Sequence, residues 1–129
     1  MASDKETVVR RMVDALQRAN AHAIGELLSD DVVYHFPGRS PVAGTYRGRA
    51  EVLGMFTAFR RMLDDPPRFD THDLVASEAH VVELASYEAS RAGRTLRWNV
   101  MRTYHVGADL ITEIWLAIDD LYAFDAFLE

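Results

Sequence analysis

The sequence predicts an α+β domain in which helices cover one face of a curved antiparallel sheet. Three observations predict it. Apolar residues recur at helical spacing as far as Leu63, the period changes to two from Phe69 onward, and three tight-turn signals divide that second stretch. With 129 residues the chain suits one domain and is too short for two of ordinary size, so 1–129 reads as a single domain.

Ser3 and Glu6 form an S-x-x-E capping box, and Val9, Met12, Val13 and Leu16 follow on one helical face that ends near Asn20. Asn20 caps a short second helix with Ile24, Leu27 and Leu28 on its apolar side. Ser29, Asp30 and Asp31 break it, and Val32 to Phe36 reads as a strand. Pro37 to Gly48, rich in Gly and Pro, reads as a loop. A third helix runs from about Arg49 to Leu63 and is stopped by Asp64, Asp65, Pro66 and Pro67. Turns at Ser77–His80, Arg91–Arg94 and Val106–Asp109 divide a four-stranded meander of about 69–77, 80–91, 94–106 and 109–118. Asp119 and Asp120 then cap a terminal helix carrying Leu121, Phe124 and Leu128.

Composition narrows the function. A net charge of -6 argues against a nucleic-acid surface, which needs clustered positive potential. No cysteine means no disulfide, thiolate nucleophile or sulfur-ligated zinc, and the five His show no tight metal-binding spacing, so neither metal nor cofactor is expected. Met1 to Leu16 is charged throughout, and there is no run of eighteen apolar residues. The reading is a cytoplasmic protein that engages no membrane.

The order of elements resembles the cone-shaped NTF2-like fold. The stretches FPGRSPVAGTYRG (Phe36–Gly48), LITEIW (Leu110–Trp115) and DLYAFDAF (Asp120–Phe127) resemble its polyketide-cyclase-like, or SnoaL-like, branch. The resemblance covers nearly the whole chain and implies a curved sheet wrapped around a small-molecule pocket. It is specific for fold and poor for activity, since the superfamily holds isomerases, cyclases, epoxide hydrolases, dehydratases and noncatalytic binding domains.

Two-residue hairpin loops would fix the register, pairing Ser77 with His80, Arg91 with Arg94 and Val106 with Asp109. One face then reads in rows, with Leu74, Glu83, Arg102 and Glu113 in one. His72, Ala85, Val100 and Trp115 lie to one side of it, and Ala76, Val81, Tyr104 and Ile111 to the other. Beyond the first of these lie Asp70, Tyr87, Trp98 and Ala117. Both tryptophans share this face, which is therefore assigned to the inside. Direct cross-strand Cβ atoms are ~5 Å apart, so Arg102 would touch both Glu83 and Glu113, keeping one ionised while burial holds the other protonated.

That arrangement predicts acid–base chemistry, with Glu113, Arg102 and Glu83 central, His72 as a proton shuttle and Tyr104 and Tyr34 as oxyanion donors. Phe36, Phe56, Phe59, Tyr87, Trp98, Val100 and Trp115 would line the substrate site. Two bland alternatives stand beside it: the ionic row only closes the sheet, and His72 only bonds locally. His22, His80 and His105 are expected at the surface.

The resemblance bears on these residues unevenly. The position of the ketosteroid isomerases' proton-abstracting aspartate corresponds to Phe36, which is no base. Limonene-type epoxide hydrolases use an arginine between two acids, as Arg102, Glu83 and Glu113 would provide. The acidic residue of the polyketide cyclases corresponds to Glu113. The leading expectation is a cofactor-independent cyclase or isomerase acting on a small, largely apolar carbonyl or polyketide-like molecule. A noncatalytic binding domain and an epoxide hydrolase are the alternatives. Val82, Leu84, Met101, Ile114, Leu116 and Ile118 would point outward, an apolar patch that predicts a homodimer through the outer sheet face.

Overall fold

A computed structural model describes residues 4–129. Its elements, in order, are α1 (Asp4–Gln17), α2 (Ala21–Glu26), β1 (Leu28–Phe36), β2 (Gly44–Arg47), α3 (Arg49–Arg61), β3 (Arg68–Ala76), β4 (His80–Arg91), β5 (Arg94–Gly107), β6 (Leu110–Ile118) and α4 (Leu121–Phe127). The six strands form one curved sheet in the order β2-β1-β6-β5-β4-β3. Only β1 against β6 is parallel. The Ser3 half of the capping box lies outside the described residues. The Asn20 cap is present, its side chain accepting from the Ala23 N–H at 3.1 Å. The Asp120 side chain accepts likewise from Ala123 at 3.3 Å.

The helices cover one face because each has a single apolar side. Val8, Val9, Met12 and Ala15 are the buried residues of α1, and Val52 and Met55 those of α3. The segment from Pro37 to Gly48, expected as loop, contains the short β2, which pairs Tyr34 with Tyr46 and Phe36 with Gly44. Gly38 follows β1 at φ 98°, hard against the Asp125 carboxylate of α4, where a Cβ would collide. Asp125 also accepts from the Arg39 N–H at 3.0 Å, tying the terminal helix over the end of β1.

Hairpin β4–β5 has the expected register, with Arg91 opposite Arg94 and Glu83 opposite Arg102. Ala92 and Gly93 both take positive φ, the condition for a twist-matched two-residue turn. Hairpins β3–β4 and β5–β6 depart from expectation through β-bulges. The β5–β6 turn pairs Gly107 with Leu110, two residues from the expected register, and that slide alone would leave every side chain on its face. Between His105 and Val106 the pairing then shifts by one more, with Thr112 as the extra residue on β6. From there the faces exchange: Arg102 lies opposite Leu116 and Tyr104 opposite Ile114. Ile114 and Leu116 are buried inside, while Trp115 is exposed and Glu113 half-exposed on the outer side. In β3 the shift falls between Thr71 and Asp73, so Thr71 rather than His72 pairs with Ala85, and Phe69 rather than Asp70 with Tyr87.

The Asp64 carboxylate, just beyond α3, accepts from the N–H groups of Ala92 and Gly93 at 2.9 and 3.0 Å. These bonds hold its pKa below the ordinary value. A carboxyl with a depressed folded-state pKa stabilises fully above its unfolded pKa, about 3.9, and loses that contribution as pH falls through the folded value. Asp64→Asn is therefore expected to melt below the wild type at pH 7, with the gap narrowing below about pH 4. Thermal melts of both proteins from pH 2 to 7 check it.

Candidate functional site

The concave side of the sheet, closed by α1, α2, α3 and α4, encloses a cavity of about 600 Å³. Its wall is aromatic. Phe69 stacks on Tyr87 at 4.9 Å between centroids and Tyr87 on Trp98 at 5.5 Å, each pair near-parallel. Trp98 meets Phe124 edge-on at 5.2 Å, and Phe56 meets Tyr34 edge-on at 5.7 Å. Rings of this kind supply apolar area and fixed shape together.

At the floor lies Arg102, 5 % exposed. Its Nη1 donates to Glu83 Oε1 at 3.1 Å, its Nε to the Tyr34 hydroxyl at 3.2 Å and its Nη2 to the Tyr87 hydroxyl at 3.0 Å. Glu83, fully buried, also accepts from Tyr104 at 2.8 Å and from the Thr71 hydroxyl at 2.7 Å. Sequence position explains the convergence. Glu83 and Arg102 are direct cross-strand partners, Tyr104 is one inward step along β5, and the β3 bulge turns Thr71 inward.

Burial by itself would lower the Arg102 pKa. The oxygens of Tyr34, Tyr87, Tyr104 and Glu83 outweigh it, and the guanidinium stays charged above its ordinary range. Burial raises Tyr34, Tyr87 and, most strongly, Tyr104, with Arg102 opposing in each case, so all three phenols keep their protons.

A family model of the SnoaL-like domain matches residues 9–114. The chain belongs to the SnoaL-like domain family. Solved structures show that this SnoaL-like domain has an NTF2-like fold. Bal32a from a soil-derived mobile gene cassette superposes with a TM-score of 0.92 at 22% identity, over 98% of this chain and 97% of that one. An NTF2-like protein of unknown function from Burkholderia pseudomallei gives 0.89 at 16%, covering 98% of each chain. TerC, co-crystallised with polyporic acid, gives 0.87 at 16%, again over 98% of each. Among curated proteins, none matches the sequence closely enough to count as a relative.

The SnoaL-like pocket gathers most of the expected residues and rejects three. Tyr34, Phe36, Phe56, Phe59, Tyr87, Trp98, Val100 and Arg102 line the cavity. Glu83 and Tyr104 sit behind Arg102, buried and hydrogen-bonded to it or to each other, and do not border the cavity. Glu113 is on the outer face, sharing a 2.5 Å hydrogen bond with His35. Trp115 stacks on His35 there at 5.7 Å. His72 is also outside, 2.6 Å from the Ser86 hydroxyl. The bulges at Thr112 and His72 cause all three corrections. Arg102 therefore has one carboxylate partner, and the arginine-between-two-acids arrangement is not formed.

Sequence reasoning missed Thr71, Phe69, Leu116, Ile118 and Phe124. For the β6 pair a signal existed: Ile114, Leu116 and Ile118 form the more apolar alternate set, against Glu113, Trp115 and Ala117. Among the described residues no group of three or more His, Asp or Glu is placed to hold a metal ion, and no helix is long and apolar enough to cross a membrane.

Removing one member of a buried pair strands the other's charge, which costs about 3–5 kcal/mol. Glu83→Leu and Arg102→Met are each expected to destabilise on that scale. The double variant is expected to lose clearly less than the sum, which denaturant unfolding of the four proteins measures.

Proposed function

We propose that the cone binds one small, flat, largely apolar organic molecule whose oxygen-bearing end meets Arg102. The observation that carries this is the stacked Phe69–Tyr87–Trp98 wall running down to a single buried guanidinium in a cavity of about 600 Å³. That volume suits one drug-sized ligand, and apolar walls with a few convergent polar groups are the usual composition of such sites. TerC, a protein of the same fold, was co-crystallised with polyporic acid, and a protein of ketosteroid isomerase-like fold from Catenulispora acidiphila with trimethylamine. Both agree with a small-molecule role.

Turnover of isomerase or cyclase type is the second reading, and the Arg102–Tyr34–Tyr87 floor favours it, since donors aimed at a carbonyl stabilise its enolate. No Asp, Glu or His borders the cavity among the described residues, so the base would come from the substrate or from solvent.

Neutral 7-methoxycoumarin is a suitable flat probe. In a Trp115→Phe background Trp98 is the sole tryptophan, and its fluorescence is expected to be quenched with saturation at micromolar probe. Val100→Phe, which narrows the cavity, is expected to weaken binding about tenfold or more. Unchanged Trp98 emission at millimolar probe sinks the binding reading.

We also propose self-association through the outer sheet face, on the exposure of Val75 (55%), Met101 (49%) and Trp115 (37%). Val75 pairs with Val82 and Leu84 with Met101, so the patch is continuous across three strands. The composition differs from the expected one, because Ile114 and Leu116 are buried within the core and Ile118 lines the cavity. Sedimentation at micromolar protein is expected to give a dimer that Met101→Glu weakens.

A further inference from the structure

The floor of the cavity offers donors and no acceptor. Tyr34 and Tyr87 each accept a hydrogen bond from Arg102, so each has its own O–H proton left to give. Neither proton has an acceptor among the described residues. Arg102 has five N–H groups and uses three, on Tyr34, Glu83 and Tyr87. With the Tyr104 oxygen also against the guanidinium, at least one N–H remains. Glu83, the only carboxylate in contact with Arg102 among the described residues, is occupied by Arg102, Tyr104 and Thr71 and does not border the cavity. Tyr34 is 1% exposed and Tyr87 9%, so bulk water is a poor substitute partner for either.

Charge at the rim has the same sign. Arg60 and Arg61, in the last turn of α3, border the cavity. Neither forms an ion pair among the described residues. The chain carries a net charge of -6, yet this cavity is bordered by three arginines and by no Asp, Glu or His among the described residues. A neutral apolar ligand would need none of this. An anionic oxygen would be met by two phenolic O–H donors polarised by the guanidinium, by a remaining guanidinium N–H and by a cationic entrance, at a buried floor where such bonds strengthen.

We propose that the pocket takes its ligand as an oxyanion, of the phenolate, enolate or aryl carboxylate class, with the anionic oxygen held between Tyr34, Tyr87 and Arg102. The inference rests on the binding reading above and names the ligand class for that site. The charged and titratable groups facing the bound oxygen are Tyr34 from β1, Tyr87 from β4 and Arg102 from β5, with Glu83 from β4 and Tyr104 from β5 behind Arg102 and Arg60 and Arg61 from α3 at the rim. The tyrosines keep their protons because burial raises them, so they donate throughout the range in which an acidic phenol ionises.

The test pairs 7-hydroxycoumarin, whose absorbance reports its own ionisation, with neutral 7-methoxycoumarin. On the wild-type protein the bound hydroxycoumarin is expected to ionise at least about one pH unit below its value in buffer, a tenfold preference for the anion. Tyr34→Phe with Tyr87→Phe is expected to remove most of that shift, weakening the hydroxycoumarin anion several-fold more than neutral methoxycoumarin. Tyr87→Phe alone, at the less buried of the two positions, is expected to remove part of it and serves if the double variant does not fold. If both coumarins bind and the bound hydroxycoumarin titrates as in buffer, the oxyanion proposal is overturned and the binding reading stands. If neither coumarin binds, both fall together.

Discussion

A guanidinium that is 5 % exposed inside a sheet this small constrains everything around it. An unpaired buried charge is prohibitively unfavourable, so Arg102 needs a counter-charge and further hydrogen-bond partners within its short reach. The β4–β5 register places Glu83 directly opposite, and β1 and β4 supply Tyr34 and Tyr87. Glu83 in turn takes donors from three directions, including Thr71 from the neighbouring strand. The ionic pair thereby locks β1, β3, β4 and β5 at one depth of the cone. Its contribution is better described as fixing which residues meet than as adding stability, since buried pairs often roughly balance their desolvation.

The two bulges determine what that fixed centre faces. Were the ladder regular from the Gly107–Leu110 pair, Trp115 would stand opposite Arg102 and Glu113 opposite Tyr104, and a second acid inside the cone would change the chemistry of the floor. With the extra residue at Thr112, Leu116 stands opposite Arg102 and the wall on that side is aliphatic. The bulge in β3 does the same on the other edge, replacing an imidazole with the Thr71 hydroxyl. Both remove a group that could exchange protons with a ligand, while leaving the register of the central hairpin untouched.

These bulges also mark where the sequence stops being legible. Element order apart from β2, the α+β class, the Asn20 and Asp120 caps and the β4–β5 pairing all follow from local signals: periodicity, cap residues and the Ala92–Gly93 turn. Each of those depends on a few consecutive residues. A bulge depends on partners far apart in the chain, and Thr112 and His72 carry no special residue type to announce one. Because side chains alternate with period two, a single unannounced residue is enough to invert a whole strand segment. That is why Glu83, Arg102, Tyr87 and Trp98 were placed correctly from the sequence while Glu113, Trp115 and His72 were not. The adjacency of β1 and β6, a parallel contact between distant segments, lay beyond local signals for the same reason.

Sorting the side chains by face gives the cone its chemical character. His35, His72, His80, His105 and Glu113 all carry their rings or carboxylate on the outer side of the sheet, where His80 meets both His105 and Trp115. The cavity side has arginine, phenol, indole and hydrocarbon, with the Gln17 amide and Thr57 hydroxyl, and none of these is an imidazole or carboxylate. Imidazoles are the groups that ordinarily change charge near neutral pH, whereas arginine and a buried phenol do not. Lining the cone with the second set makes its interior a fixed field of donors rather than a proton reservoir. A site of that kind recognises charge already on a ligand, or draws a proton off by stabilising the anion left behind, and a change of solution pH acts on it through the ligand rather than through the wall.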